Sequence, residues 1–470
     1  MPMSAPGKFK VVSNDIAYGG DGIGLHLTTA ANDTMVGNAA GAALTSGSDN
    51  SLFGFEAGDG LTSGDQNTII GSQTGRGLTT QDHNTIVGYN ILSSAPDALI
   101  DGNVLLGSEI LNNTIARPID MIVIGRSSLN ALTVVNYSLR NQIVIGHNSL
   151  KDLNPVSTIG NVAIGHNIEA ATGVNRPTST ACVLIGHGAV QSGNVNNSIF
   201  IGSGVGNNAF GSYHTIVGNN AGQSMPAGSF GNIGIGESTL GWTIQFGAIP
   251  AENVAVGYRA IYRDGFHNIN PLRNTAIGAR AMETPGATGD VTDNVAVGYQ
   301  ALHVNGGIRT VAIGANAGLT NVGGQDNIFI GYGADGSAVG VSDEFVLTNA
   351  TAGSANPYLS GSMSATDRRL KIGAALQLQR IAHAVSGNIG GNTIAACTAV
   401  SITLTCQSAN IAKDGRVWII KDETGTASPS TPITIDTQGT ETIDGESDAQ
   451  IVAPYGVARL YSDGSNLFSW

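Results

Sequence analysis

Cysteine, tryptophan, proline and charge are all scarce in this 470-residue chain. Three cysteines, Cys182, Cys397 and Cys406, are too few for the disulfide framework that staples small secreted domains. Prolines number only 14, and glycine never recurs strictly at every third place, which excludes collagen. Charged residues make up 12% of the chain, about half the usual share. Acids outnumber bases 34 to 21, for a net charge of −13. So little Lys and Arg gives no cationic face for phosphates, and no nucleic-acid partner is expected. No run of about 18 apolar residues occurs, so no membrane insertion is expected. The start, MPMSAPGKFKVV, has neither the apolar stretch nor the cleavage site of a secretory signal, so signal-directed export is not expected.

Glycine, in contrast, is abundant: 66 residues, about twice normal usage. The hydrophobic share is 41%, too high and too evenly spread for a disordered chain. The glycines punctuate a repeat. A phrase of the form Asn-Thr/Val-x-Ile/Val-Gly ends at Gly37, Gly54, Gly71, Gly88, Gly107, Gly125, Gly146, Gly165, Gly186, Gly202, Gly218, Gly236, Gly257, Gly278, Gly298, Gly314 and Gly331. These 17 copies lie 16 to 21 residues apart, which predicts one coil repeated many times rather than separate domains.

Each place in the phrase has a physical reading. The residue one before the Gly is apolar and mostly branched (Ile70, Val87, Ile145, Ile277), and three before it stands Thr, Val, Ile or Ser (Thr68, Val162, Ile328). Side chains alternate across a strand, so these two share a face; they are expected to fill the coil. Asn, four before the Gly in 10 of 17 copies, suits turns and hydrogen-bonded ladders between stacked coils. Two before the Gly, on the other face, stand Leu52, Ile69, Ile86, Leu105, Val123, Val144, Leu184, Phe200, Ile216 and Phe329, with Ala, Met or Gly in the remaining copies. A strand apolar on both faces is covered on both. The expectation is that these ten residues face other copies of the chain in a symmetric oligomer.

The phrases NTAIGARAM, NVAVGYQAL and HTIVGNNAG are similar to the head repeats of trimeric autotransporter adhesins. They resemble still more the β-roll shafts of bacteriophage tail fibres. The resemblance spans roughly residues 31–340 and implies a homotrimer of parallel β-coils about a long axis. The adhesin family's secretion signal and C-terminal membrane-anchor barrel are not expected here, and the spacing is longer and more variable than that family's short repeat, so the fibre resemblance is preferred. It implies a virion protein, fixed at its N-terminal end to a tail or baseplate protein and contacting a host-surface glycan or protein at the other.

The expected fold is all-β: a cap or attachment segment over 1–30, a parallel β-roll shaft of about 17 coils over 31–340, linking strands over 341–384 and an antiparallel β-domain over 385–470. Within 366–371 the run TDRRLK faintly resembles the start of self-cleaving endosialidase-type chaperones. Thr366 stands where that family has Ser, and autoproteolysis is not expected. Beyond 385, alternation at Val400, Ile402 and Leu404, then Val417–Ile420, Ile433–Ile435, Glu441–Ile443 and Ala458–Tyr461, marks strands. The ending TIDGESDAQIVAPYGVARLYSDGSNLFSW resembles the terminal knobs of phage fibres, which implies receptor contact there. The candidate contacts are Tyr455, Arg459, Tyr461, Asp463, Asn466 and Trp470.

Signs of catalysis or cofactors are sparse. Glu56, Asp59, Asp65, Asp82, Asp97, Asp101, Asp290 and Asp293 fall in loops between phrases, where solvation explains them. A polysaccharide-cleaving tailspike would need a carboxylate pair, so that function, like a bacterial adhesin, is the alternative. No enzyme activity, cofactor or metal is expected. His147, His166 and His187 follow the Gly in three consecutive coils and are expected to stack as a polar ladder. Tyr89, Tyr258, Tyr299 and Tyr332 hold the same place elsewhere, where packing at the corner is expected.

Overall fold

The computed structural model describes residues 8–12, 15–19, 29–93, 100–112, 117–130, 138–150, 160–168, 180–190, 194–226, 228–241, 250–262, 271–283, 291–304, 307–349, 359–364, 367–372, 379–390, 393–412 and 415–470. The chain divides into two compact units, Met1–Gly373 and Ala374–Trp470. Strand dominates both, and Ser408–Ile411 is the one α-helix among the described residues.

In the first unit every phrase is a strand, and successive phrases pair parallel and in register, from Thr34–Val36 to Ile328–Ile330, within a 22-stranded sheet. This is a parallel β-solenoid. Glycine lies beside glycine from one coil to the next, as Gly71, Gly88, Gly107 and Gly125 do. Short parallel strands such as Pro271–Leu272 and Val291–Thr292 make a second, discontinuous row. The stack also extends past both ends of the phrase array. Asp15–Gly19 (DIAYG) pairs in register with Thr34–Val36, so an unrecognised copy lies inside the segment expected to be a cap. Glu344–Leu347 continues the stack beyond Ile328–Ile330. Lys8–Val12 joins the first strand antiparallel, and the hairpin Leu359–Ser364/Asp367–Ile372 joins the last. Thr366 lies outside the described residues.

The expected facing of the strand is reversed. Leu52, Ile69, Ile86, Leu105, Val123, Val144, Leu184, Phe200, Ile216 and Phe329 are each 0% exposed within the single chain. They belong to one core cluster with residues from the coil's other side, such as Leu92, Leu111, Leu129 and Leu302. They therefore line the inside of the coil and cannot be the interface between chains. The residues one and three before the Gly point outward instead; Ile70, Ile122, Ile235, Ile277 and Ile313 are 40–44% exposed. Alternation defines two faces without saying which is inside. The discriminating feature is Asn, which has the same parity as the position two before the Gly and is itself buried: Asn67, Asn84, Asn103, Asn253 and Asn294 are 0% exposed.

Buried amides persist only if satisfied, and these are. The Nδ2 groups of Asn67, Asn84 and Asn103 donate to the Oδ1 of the Asn one coil earlier at 3.1, 3.2 and 3.1 Å. A second run, Asn232–Asn253–Asn274–Asn294, repeats the arrangement at 2.9, 3.0 and 3.1 Å. Each Oδ1 also accepts a backbone N–H from the following coil, as Asn274 does from Asn294 at 3.0 Å. Asn274→Ala removes the acceptor for both donors of Asn294 and is expected to cost about 2–3 kcal/mol, read as a lower denaturation midpoint.

Candidate functional site

The C-terminal unit is built from alternating strands. Val417–Asp422 reads VWIIKD: Trp418, Ile420 and Asp422 turn inward, while Val417, Ile419 and Lys421 face out. Val457–Ser462 buries Leu460 and Ser462 and exposes Val457, Arg459 and Tyr461. These two strands pair antiparallel, bringing Tyr461 opposite Val417, Arg459 opposite Ile419 and Val457 opposite Lys421. With Leu467–Ser469 on one side and Thr393–Cys397 and Gln379–His383 on the other, they form a five-stranded sheet. A four-stranded sheet of Gly387–Ile389, Ile402–Cys406, Ile433–Thr437 and Asp448–Ile451 completes the unit. The later pairs are antiparallel as expected, and the earlier strands add parallel pairs. The stretch Glu441–Ile443 contributes only two isolated bridges at Ile443, to Glu446 and to Leu467.

The inward side chains, including Leu404, Trp418, Ile420, Ile435 and Leu460, form one core. Cys397 and Cys406 are buried in it as free thiols, on strands of different sheets. Burial pushes them up to about 11 and about 12 respectively, which keeps the nucleophilic thiolate scarce near neutrality.

Four of the six candidate contacts gather around the outer face of the five-stranded sheet. Tyr461 packs against Phe468 with ring centroids 5.6 Å apart and against Trp470 at 6.1 Å. Trp470 is 59% exposed, and its backbone N–H donates to the Arg459 carbonyl at 3.3 Å. Arg459 is exposed beside them. Tyr455, 62% exposed, stands near the other end, where the Lys421 ammonium donates to its carbonyl and lies 5.9 Å from its ring. Asp463 and Asn466 have a different role. Asp463 Oδ1 accepts the N–H groups of Ser465 and Asn466, both at 2.8 Å, and these bonds hold its carboxyl below the usual range. Asn466 Oδ1 accepts from the Thr442 N–H at 2.8 Å and its hydroxyl at 3.0 Å. Both shape the turn that carries Leu467–Ser469. Phe468 and Lys421 were missed by sequence reasoning, although strand alternation already placed Lys421 outward.

Tyr455 is positioned by a buried carboxylate. Asp422 is 0% exposed and accepts the N–H groups of Thr424, Gly425, Ala427 and Tyr455 at 2.8, 3.2, 3.2 and 3.1 Å, plus the Thr424 hydroxyl at 2.6 Å. Burial pushes its pKa up, but the hydrogen bonds prevail and bring it down to about 2. Its contribution is therefore full above the ordinary carboxylate range and is lost as pH falls through about 2. Asp422→Ala is expected to destabilise the C-terminal unit by about 2–3 kcal/mol at neutral pH, measured as a lowered unfolding midpoint.

The first unit carries rings along the place after the Gly. His147, His166 and His187 stack as expected, with centroids 5.0 Å apart at both steps. Tyr89, Tyr258, Tyr299 and Tyr332 are 45–53% exposed rather than packed at the corner. The acids mostly serve the scaffold. Asp65, Asp82 and Asp101 each accept a backbone N–H from the preceding coil, at 2.7, 2.7 and 2.9 Å. Glu56 and Asp59 both lie 3.3 Å from Arg76, and Asp293 lies 2.6 Å from Arg273. Asp97 and Asp290 lie outside the described residues. Among the described residues no three His, Cys, Asp or Glu side chains are grouped to hold a metal, and no helix is long and apolar enough to cross a membrane. No protein-family model matches the chain, and no curated protein matches its sequence.

Proposed function

We propose that the chain is a bacteriophage tail fibre: a homotrimeric, non-enzymatic virion protein that attaches the particle to its host. The observation that carries this reading is the outer face of the solenoid. The residues one before each Gly form an apolar row on successive coils, and the residues three before it a row of branched apolar and hydroxyl side chains. Among them Ile70, Ile122, Ile235, Ile277 and Ile313 are two-fifths exposed in the single chain. A soluble protein seldom leaves so long an apolar stripe uncovered. Any cover must match a spacing of about 4.8 Å per coil over the whole length, and a second copy of the same chain does so by construction. Three copies is the number implied by the resemblance to fibre shafts. The N-terminal end would join a tail or baseplate protein, and the C-terminal unit would meet a host-surface glycan or protein.

In the C-terminal unit, Tyr461, Phe468 and Trp470 offer a rigid aromatic surface with Arg459 beside it. Such groups dominate contact energies elsewhere, and three copies would multiply weak binding through avidity. The test is binding of the labelled fibre to a panel of bacterial strains. Saturable binding to a subset, lost in Tyr461→Ala/Trp470→Ala, is expected. Binding to none, or binding indifferent to both substitutions, would contradict this assignment. Release of reducing sugar from the bound cells would point instead to the depolymerase alternative.

A further inference from the structure

The Asn ladder obeys a rule that fails at one end. Where both groups lie among the described residues, the Nδ2 group of each ladder Asn donates to the carbonyl three residues before the ladder position of the next coil. Asn50 reaches Gly64 at 2.9 Å, Asn67 reaches Gln81 at 2.9 Å, Asn84 reaches Ile100 at 2.7 Å and Asn103 reaches Pro118 at 3.1 Å. Asn253, Asn274 and Asn294 reach Pro271, Val291 and Gly307 at 2.8, 2.7 and 2.8 Å. The first two ladder positions, however, are Asp15 and Asp33 rather than Asn, and both are 1% exposed.

One oxygen of each acid behaves like an Asn oxygen. Asp15 Oδ1 accepts the Asp33 N–H at 2.9 Å, and Asp33 Oδ1 accepts the Asn50 N–H at 2.7 Å. The other oxygen, Oδ2, occupies the place of the amide nitrogen, and in both residues it is buried without a hydrogen-bond partner among the described residues. By the ladder rule, Asp33 Oδ2 is directed at the carbonyl of Gly47, three before Asn50. By the same rule, Asp15 Oδ2 is directed at the carbonyl of Ala30, three before Asp33. Two acceptors cannot bond to each other, and an ionised carboxylate has no proton to offer. A neutral carboxylic acid does: its O–H can donate where Nδ2–H donates elsewhere.

We propose that Asp33, stacked on Asp15, is a buried proton-binding site that completes the ladder as a neutral acid and locks the first coils of the solenoid when occupied. The electrostatics agree with the geometry. Burial raises the Asp33 carboxyl to about 6, against hydrogen bonds from Asn50 that lower it, and the charged groups acting on it are Asp15 and Asp49. For an acid raised in the folded state, the unfolded chain loses its proton first. The lock is therefore complete at acid pH, weakens as pH rises above about 4, and reaches its weakest level above about 6. The inference does not depend on the fibre reading, since it concerns only how the first coils close.

Hydrogen exchange of the full chain tests it, through the protection of the Asn50 and Thr34 amides corrected for intrinsic rate. In the wild type, protection is expected to fall by on the order of tenfold to a hundredfold between pH 4 and pH 8. Asp33→Asn supplies the missing donor and should give pH-independent protection, at or above the wild-type level at pH 8. Asp15→Asn, which removes the neighbouring carboxylate, should also raise protection at pH 8. A flat wild-type profile, or an Asp33→Asn variant less protected than wild type at pH 8, would overturn the proposal. So would wild-type protection at pH 8 that disappears with EDTA or rises with added calcium, because a metal ion would then be balancing the carboxylates.

Discussion

Gly165→Val is expected to destabilise the solenoid by at least about 4 kcal/mol, combining backbone strain with a main-chain collision. Gly165 has φ +144°, a conformation that only glycine adopts without strain, and a Cβ there would stand 1.8 Å from the Gly186 carbonyl oxygen. Neither obstacle can relax alone. Moving the backbone would break the register between the strands Val162–His166 and Val183–His187, and the same Gly-on-Gly contact recurs in the neighbouring coils. Gly160→Ala is the control. It also has positive φ, at +72°, but nothing lies within 4 Å of its would-be Cβ. It should cost only about 1–2 kcal/mol. Denaturant midpoints of the two variants measure the difference, and equal midpoints would mean that the Gly row has no packing role.

The second large effect separates the two faces of one strand. Ile277→Lys with Ile313→Lys should leave each chain folded but prevent its assembly. These side chains are 43% and 42% exposed in the single chain, so lysine is tolerated in water. In an assembled stripe it would bury uncompensated charge, at several kcal/mol per site. Leu105→Lys should behave oppositely. Leu105 is 0% exposed inside the coil, and a charge there is expected to unfold the surrounding coils whatever the assembly state. Circular dichroism and gel filtration together distinguish the outcomes. Assembly that survives both outer substitutions would remove the outer stripe as the interface.

Much of this architecture was legible in the sequence because a solenoid repeats its constraints. Seventeen glycines in one setting exposed the coil, its register and the in-register stacking of His147, His166 and His187. Which face is inside was less legible, since both are apolar in most copies. The distinguishing signal was present but small. Hydroxyl residues occur three before the Gly (Thr34, Ser51, Thr68, Thr85, Thr215, Thr275) and never two before it, as suits an outer and an inner row. The copy at Asp15–Gly19 escaped notice because Asp replaces Asn and Tyr18 replaces the branched residue before the Gly. In the C-terminal unit, alternation located Ile402–Cys406, Val417–Asp422, Ile433–Thr437 and Val457–Ser462, but not Gln379–His383, Gly387–Ile389, Thr393–Cys397 or Asp448–Ile451. The bonds that hold Asp463 are local to its turn, but alternation could not reveal that Asn466 is engaged, because its bonds form only once Thr442 has been brought beside it.

The most direct test of the central claim is the solution mass of the intact protein by light scattering. The account predicts three times the 47.8 kDa of one chain. A mass of 47.8 kDa, with the outer isoleucines left in water, would contradict it.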